Sequence, residues 1–503
     1  MALPQAKRPV VLAIDQGTTG TTALIVDQAG EIVARGYREV VCQYPQPGWV
    51  EQDAEDLWER SLGAIAEALQ TAGDCPIVAI GIANQRETTI LWDAQTGRPV
   101  APAIVWQCRR TAALCDELRA RGLGEEIAAR TGLVIDPYFS ATKIRWLFDA
   151  DPTLRARAAA GQLRFGTVDS WLIWKLSGGQ AHRTDYSNAA RTMLYNIYEK
   201  QWDPRLLEIF DIPTSLLPTV GSSQEIHART VEVALPGRRR LASGIPIAGV
   251  AGDQQAALFG QACFEPGMVK CTYGTGAFLL MNRGETPVRS RSGLLTTLGC
   301  GPTGKPIYVL EGSIFIAGAA VQWLRDQLGI IRQASETEEL ARQVPDTAGV
   351  YFVPAFVGLG APYWDTGARG ALIGLTRGTE RAHLARAALE AIAYQTRDVV
   401  DAMAADAGIA SSELRIDGGA AANDFLAQFQ ADILGTSVVR PRLTETTGLG
   451  AAYLAGLAVG FWSSHHELAA LWQIDRRFRP TLPPARREAL YLGWCQAVAR
   501  VRS

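Results

Sequence analysis

Runs of aliphatic and β-branched residues alternate with segments of helical period along this chain, the pattern of an α/β protein. Residues 10–27, VVLAIDQGTTGTTALIVD, read as strand, polar Gly/Thr turn and strand. Residues 54–73, AEDLWERSLGAIAEALQTAG, place their apolar side chains on one helix face, with Asp53 as the cap and Gly73 as the stop. Residues 77–93, IVAIGIANQRETTILWD, repeat the strand, polar interruption and strand, and the aromatics of SWLIWKL (170–176) belong to a helix in the core. IPIAGVAGDQQAALFG, ending at Gly260, runs as strand, turn and helix.

The pattern then restarts. VKCTYGTGAFLLMN (269–282) is a second strand, Gly-Thr-Gly turn and strand, and LRIDGGAAANDFLAQFQADILG (414–435) is a strand, a Gly-Gly turn and a helix. One Gly/Thr hairpin opens each half. This predicts two related domains, 1–257 and 258–503, facing each other across a cleft.

Composition narrows the class. The chain has 503 residues, 48% hydrophobic and 20% charged, with a formal net charge of −2, so it is long enough for two large domains and carries no basic excess for nucleic acid. The Lys7-Arg8 start precedes an apolar run too short for a signal core, and LGAAYLAGLAVGFW (449–462) is too short to span a membrane and reads as a buried helix. Eight scattered cysteines without a CxxC pair point to reduced thiols in a cytoplasmic protein.

Nucleotide phosphates need closely packed backbone donors, which Gly-rich turns provide. A search for a P-loop meets Gly299 to Lys305, but Pro306 stands where the hydroxyl is required, so CGPTGKPIYV reads as a hairpin turn. The two Gly/Thr hairpins are the alternative. Thr18 and Thr19 in one and Thr275 in the other offer hydroxyl and backbone donors, and Asp15 at the first strand's end suits Mg²⁺. Gly418-Gly419 either admits a nucleotide or lets helix and strand pack closely.

Adjacent charges Arg86 and Glu87 end an apolar strand. Either they form a surface ion pair, or they serve as donor and acceptor for a polyol, since each alcohol both donates and accepts. Trp106 and Tyr138 then add an apolar wall. Asp253 has two readings as well: an N-cap for the helix that follows, or a carboxylate placed to take a proton from substrate.

Read together, DQGTTG, GIANQRETT, AIVWQCRRT, TGLVIDPYFS, GVAGDQQAALFGQ, TYGTGAFLLMN, VPAFVGLGAPYWD and DGGAAAN resemble the FGGY carbohydrate kinase family over roughly residues 10–497. WQCRRT and GDQQAALFGQ are similar to its glycerol-specific branch. The resemblance implies two actin-like (ribonuclease-H-like) domains flanking an active-site cleft, and ATP-dependent phosphorylation of glycerol to sn-glycerol 3-phosphate. It implies glycerol contacts from Arg86, Glu87, Tyr138, Asp253 and Gln254 against Trp106 and Phe278, with Asp253 as general base. It places the nucleotide on Thr18, Thr19, Gly20, Thr275, Gly318, Gln322, Gly419 and Asn423, with Mg²⁺ at Asp15 and a homodimer or homotetramer as the assembly. Competing readings are a kinase for another short polyol such as dihydroxyacetone, or an actin-like ATPase, which has no need of Arg86, Glu87, Trp106 and Asp253 as a set.

This chain departs from the family hairpin DQGTTSSR, because Gly20 and Thr22 replace a serine and an arginine. ATP affinity is the property this departure touches. The arginines of LPGRRRLASGIP (235–246) read as a solvated loop rather than an effector site, and QEIHART does not match the pattern of a regulatory histidine at His227.

Overall fold

The computed structural model describes residues 8–503 and divides into two compact units. The first contains the described residues through Phe264, together with 296–308 and 446–471, and the second contains 265–295, 309–445 and 472–503. A single cut after residue 257 therefore does not describe the division. The chain returns to the first unit twice, the second time as the helix Thr446–Ala458, which rests on the strands Ile77–Asn84 and Pro246–Gly252. That helix is rich in glycine and alanine, which lets backbones approach closely and explains its burial without a polar face.

The first unit is built on a six-stranded sheet. Val10–Gln16 pairs antiparallel with Gly20–Val26, which pairs antiparallel with Ile32–Glu39. On its other side Val10–Gln16 pairs in parallel with Ile77–Asn84, followed by the parallel strand Pro246–Gly252 and the antiparallel edge Gln224–Arg229. The sequence explains which strands are central. Val10–Ile14 and Thr21–Val26 are buried throughout and read as continuous apolar runs, whereas Ile32–Glu39 alternates buried and exposed residues as an outer strand does. The helix Ala54–Ala72 starts on Asp53, whose carboxylate accepts from Glu55 N–H at 2.8 Å, and ends at Gly73.

The second unit repeats this topology. Val269–Tyr273 pairs antiparallel with Ala277–Gly284 and in parallel with Glu413–Asp417. Ser437–Pro441 follows in parallel and Ile474–Phe478 antiparallel, while Pro306–Ile314 lies beside Ala277–Gly284. Three meander strands followed by two parallel strands and an antiparallel edge thus occur in both sheets, the shared order expected from the two Gly/Thr hairpins. Each unit has its own core, with Leu12, Ile14, Ile82 and Trp171 in the first and Leu279, Ile392, Ile416 and Trp494 in the second. Residues 301–305 form the turn of a hairpin, with Gly301 N–H bonded to Lys305 O at 2.9 Å, as expected of a failed P-loop match. All eight cysteines are unpaired, and among the described residues no helix is long and apolar enough to cross a membrane.

Candidate functional site

The strand Pro246–Gly252 runs straight into the helix Asp253–Gly260. Gly252 occupies the cap position, so Asp253 is the first helical residue rather than the N-cap. Its carboxylate accepts from Gln254 N–H at 2.7 Å and is 25% exposed, which leaves it open to a small molecule.

Arg86 organises the charges around it. Its Nε lies 3.3 Å from Asp253 Oδ1 and 3.9 Å from Glu87 Oε1, Nη1 donates to Gln255 Oε1 at 3.2 Å, and Nη2 reaches the Tyr138 hydroxyl at 3.5 Å. Arg86 and Glu87 are only 2% and 1% exposed, which rules out the surface ion pair. The approach depends on Gly252, because a Cβ there would stand 2.7 Å from Arg86 Cδ. Gln255 in turn donates to Leu298 O at 3.1 Å. Sequence reasoning named Gln254 but not Gln255, although both lie in the same GDQQ motif.

Glu87 has φ of 61°, an uncommon conformation for a residue with a side chain. Its carboxylate accepts from Arg191 Nε at 2.6 Å. Arg191 follows the short helix Tyr186–Ala189, which Asp185 caps through the N–H groups of Ser187 and Asn188. Asn188 exchanges amide bonds with Asn84 at 3.0 and 3.1 Å, which ties this helix to the strand that leads to Arg86. No local motif marks Arg191, since its link to Glu87 crosses 104 residues.

Tyr138 is set by Asp136, which accepts its N–H at 2.9 Å and is itself paired with Arg109 at 2.7 Å. Trp106 packs edge-on to Tyr138, with ring centroids 5.5 Å apart, and its Nε1 donates to Thr18 Oγ1 at 2.8 Å. The aromatic wall is therefore bonded to the first Gly/Thr turn. Glutamines reinforce that link: Gln85 Nε2 donates to Gln52 Oε1 at 2.9 Å, and Gln52 Nε2 donates to Thr18 O at 2.7 Å. Arg86, Glu87, Trp106, Tyr138, Asp253, Gln254, Asp15, Thr18, Thr19 and Gly20 all belong to the first unit.

The turn itself closes with Gly17 N–H on Gly20 O at 2.9 Å. Tyr37 lies over Gly20, with its hydroxyl 3.4 Å from Thr19 O, and Thr22 is directly opposite Tyr37 across the sheet. The two positions that depart from the family hairpin are thus both covered by one tyrosine.

Phe278, Thr275, Gly318, Gln322, Gly419 and Asn423 belong to the second unit. Thr275 is exposed at the tip of the second hairpin. The helix Gly318–Asp326 docks on that turn: Gly318 N–H donates to Gly274 O at 3.0 Å, and Ala319 N–H to Thr275 O at 3.0 Å. A Cβ at Gly318 would stand 2.6 Å from Gly274 O, so only glycine permits this docking. Gln322 is exposed on the same helix. Asn423 caps the helix Asp424–Leu434 by accepting from Leu426 N–H at 2.9 Å, and donates to Thr337 Oγ1 at 3.3 Å. Gly418 and Gly419 line a cavity of about 500 Å³ with Ala422, Arg440 and Arg442. Phe278 is half-buried on the strand Ala277–Gly284.

The residues singled out as non-functional behave as such. His227 is buried and its Nε2 lies 2.8 Å from Ser222 O, Arg240 pairs with Glu232, and Arg239 donates to Leu69 O at 3.2 Å.

Comparison with known proteins agrees with this arrangement. Residues 10–260 match the N-terminal domain, and residues 269–459 the C-terminal domain, of the FGGY family of carbohydrate kinases. Glycerol kinase 2 of Thermotoga maritima is 58% identical over 492 residues, covering 97% of this chain and 98% of that protein. The glycerol kinase of Stenotrophomonas maltophilia strain K279a is 59% identical over 97% of both chains. Among solved structures, Plasmodium falciparum glycerol kinase with ADP superimposes with a TM-score of 0.91 at 38% identity, over 98% of each chain. A xylulose kinase from Lactobacillus acidophilus reaches a TM-score of 0.86 at 22% identity over 97% of each chain, a likeness of fold. Two family domains in order, near-complete coverage at this level of identity, and a buried arginine between two carboxylates together establish that the chain belongs to the glycerol kinases of the FGGY family of carbohydrate kinases.

Proposed function

We propose that the chain transfers the γ-phosphoryl group of ATP to a terminal hydroxyl of glycerol, giving sn-glycerol 3-phosphate and ADP, with Asp253 as the general base. The observation that carries this reading is the placement of Arg86 between Glu87 and Asp253, at 3.9 and 3.3 Å. A small polyol needs donors and acceptors on neighbouring atoms, and the guanidinium and the two carboxylates supply both. Tyr138 and Trp106 add the apolar side for the carbon backbone, with Gln254 and Phe278 completing the set that the resemblance implies.

Asp253 suits the role of base because its carboxylate is partly open and fixed at the first residue of a helix. The hydroxyl it deprotonates becomes the nucleophile, and the attack runs in line with the departing ADP oxygen. Little covalent work falls to the protein, and positioning with charge stabilisation carries most of the rate. Thr18, Thr19 and Thr275 would hold phosphate oxygens, while Gly20, Gly318, Gln322, Gly419 and Asn423 frame the remainder of the nucleotide. Asp15 fits Mg²⁺, since that ion takes one or two carboxylates and keeps water, and this carboxylate is partly exposed at the strand end beside the Thr18–Thr19 turn. Bound there, Mg²⁺ would neutralise charge on the β- and γ-phosphate oxygens.

The test is ADP release with Mg²⁺-ATP and glycerol, dihydroxyacetone, a pentulose or no acceptor in parallel. Turnover that depends on glycerol is expected. A preference for another acceptor would replace the substrate, and equal turnover without any acceptor would make the protein an ATPase. The nucleotide half has its own check. Gly318→Ala forces the helix away from the second hairpin and raises the KM for ATP about tenfold, with the KM for glycerol unchanged. An unaltered ATP KM would remove Gly318 and its hairpin from the nucleotide site.

A further inference from the structure

We infer that Ser140, Lys143 and Arg191 form a clamp that fixes Glu87 in the one orientation suited to a polyol hydroxyl, making them positioning residues for acceptor binding. The inference rests on the reading that Glu87 meets the acceptor.

The backbone is the first argument. A positive φ at a glutamate persists only where the surroundings over-determine it, and such residues concentrate at functional sites. Glu87 O is over-determined: Ser140 Oγ donates to it at 3.0 Å, Thr89 Oγ1 at 3.1 Å and Lys143 Nζ at 3.2 Å. Three donors converge on an oxygen with two lone pairs. Two of them come from the helix Ser140–Ala150, more than 50 residues away in sequence.

The second argument is that the clamp holds two acceptor residues at once. Lys143 Nζ also donates to Tyr138 O at 2.8 Å, so one ammonium ties the Glu87 turn to the Tyr138 turn. Arg191 does the same through its side chain. Its Nε holds the Glu87 carboxylate at 2.6 Å, while its guanidinium lies 5.6 Å from the Tyr138 ring and 5.3 Å from that of Phe139. Ser140, Lys143 and Arg191 are all fully buried, so none of them meets substrate itself.

The third argument is the cost of keeping a lysine there. Burial pulls the Lys143 amine down to about 7 from 10.5, against the opposing pull of the Glu87 carboxylate. A folded-state value below the unfolded one means that this burial works against folding at and below neutral pH, and that the penalty is relieved as pH rises toward 10.5. An unbranched apolar side chain of similar length would avoid that penalty. A stability role alone therefore does not explain the lysine, whereas a donor aimed at two carbonyls does.

The experiment compares Lys143→Met, Ser140→Ala and Glu87→Gln with the wild type, reading kcat, the KM for glycerol, the KM for ATP and the thermal midpoint. Lys143→Met is expected to raise the glycerol KM roughly 10²-fold with the ATP KM unchanged, the effect of misplacing a binding group by a fraction of an ångström to an ångström. Ser140→Ala keeps the buried amine, removes another donor from the same carbonyl, and is expected to raise the glycerol KM about tenfold. A purely structural lysine would lower the thermal midpoint and leave the glycerol KM of the folded enzyme unchanged, and that result overturns the inference. Should Lys143→Met not fold, an unchanged glycerol KM in Ser140→Ala overturns it equally. Glu87→Gln separates the two levels. If it raises the glycerol KM while the clamp variants do not, only the clamp fails; if it too has no effect, the acceptor reading fails and takes the clamp with it.

Discussion

Asp253→Asn lowers kcat by about two to four orders of magnitude, the usual contribution of a positioned general base, while the KM for glycerol rises far less. The asymmetry follows from what asparagine keeps. Its carbonyl oxygen can still accept the Gln254 N–H that Asp253 Oδ1 now accepts at 2.7 Å, so the first turn of the helix Asp253–Gly260 retains its geometry. What is lost is the negative charge 3.3 Å from Arg86 Nε, together with the capacity to receive a proton. Arg86 retains Gln255 at 3.2 Å and Glu87 at 3.9 Å, so the acceptor is still recognised. The measurement is steady-state ADP release across glycerol concentrations, with glycerol binding followed separately by calorimetry. Near-normal turnover would remove Asp253 from the chemistry. A collapse of glycerol affinity with kcat preserved would make it a binding residue only.

How much of this was legible in the sequence depends on the range of the interaction. The helix 54–72 lay open because its cap, its period and its terminal glycine are all local, and both Gly/Thr hairpins lay open for the same reason. The division between units did not, because the helix Thr446–Ala458 joins the first unit by packing small residues against strands hundreds of residues away, and nothing local in LGAAYLAGLA names its partner. The site divides in the same way. Arg86, Glu87 and Asp253 are charges where the apolar pattern breaks, which makes them visible one by one. Ser140, Lys143 and Arg191 sit inside segments that read as ordinary helix and loop, and their relation to Glu87 exists only once the chain has brought positions 53, 56 and 104 residues apart into contact. The cap reading of Asp253 was wrong by one residue, because a strand that passes into a helix without a turn leaves Gly252 as the boundary.

Arg86→Met carries the second large effect, a fall of roughly 10³-fold in kcat/KM for glycerol, since hydrogen bonds to a charged group contribute about 1.5–3 kcal/mol each and this guanidinium can offer two to a diol. A second loss accompanies it. Arg86 is 2% exposed and stands between two carboxylates, and removing one partner of a buried pair costs about 3–5 kcal/mol when the other is left bare. Here the penalty is smaller, about 1–3 kcal/mol, because Glu87 keeps Arg191 at 2.6 Å and Asp253 is 25% exposed to water. The thermal midpoint should therefore fall modestly while acceptor turnover nearly vanishes, with the KM for ATP unchanged because the nucleotide meets other residues. Arg86→Lys decides what the guanidinium supplies. A lysine restores the charge but not the planar fork that faces Asp253, Gln255 and Tyr138 together, so it should recover the thermal midpoint and leave most of the kcat/KM deficit in place. Recovery of kcat/KM by lysine to near the wild-type value would mean that a point charge suffices, and that the fork geometry around Arg86 does not select the acceptor.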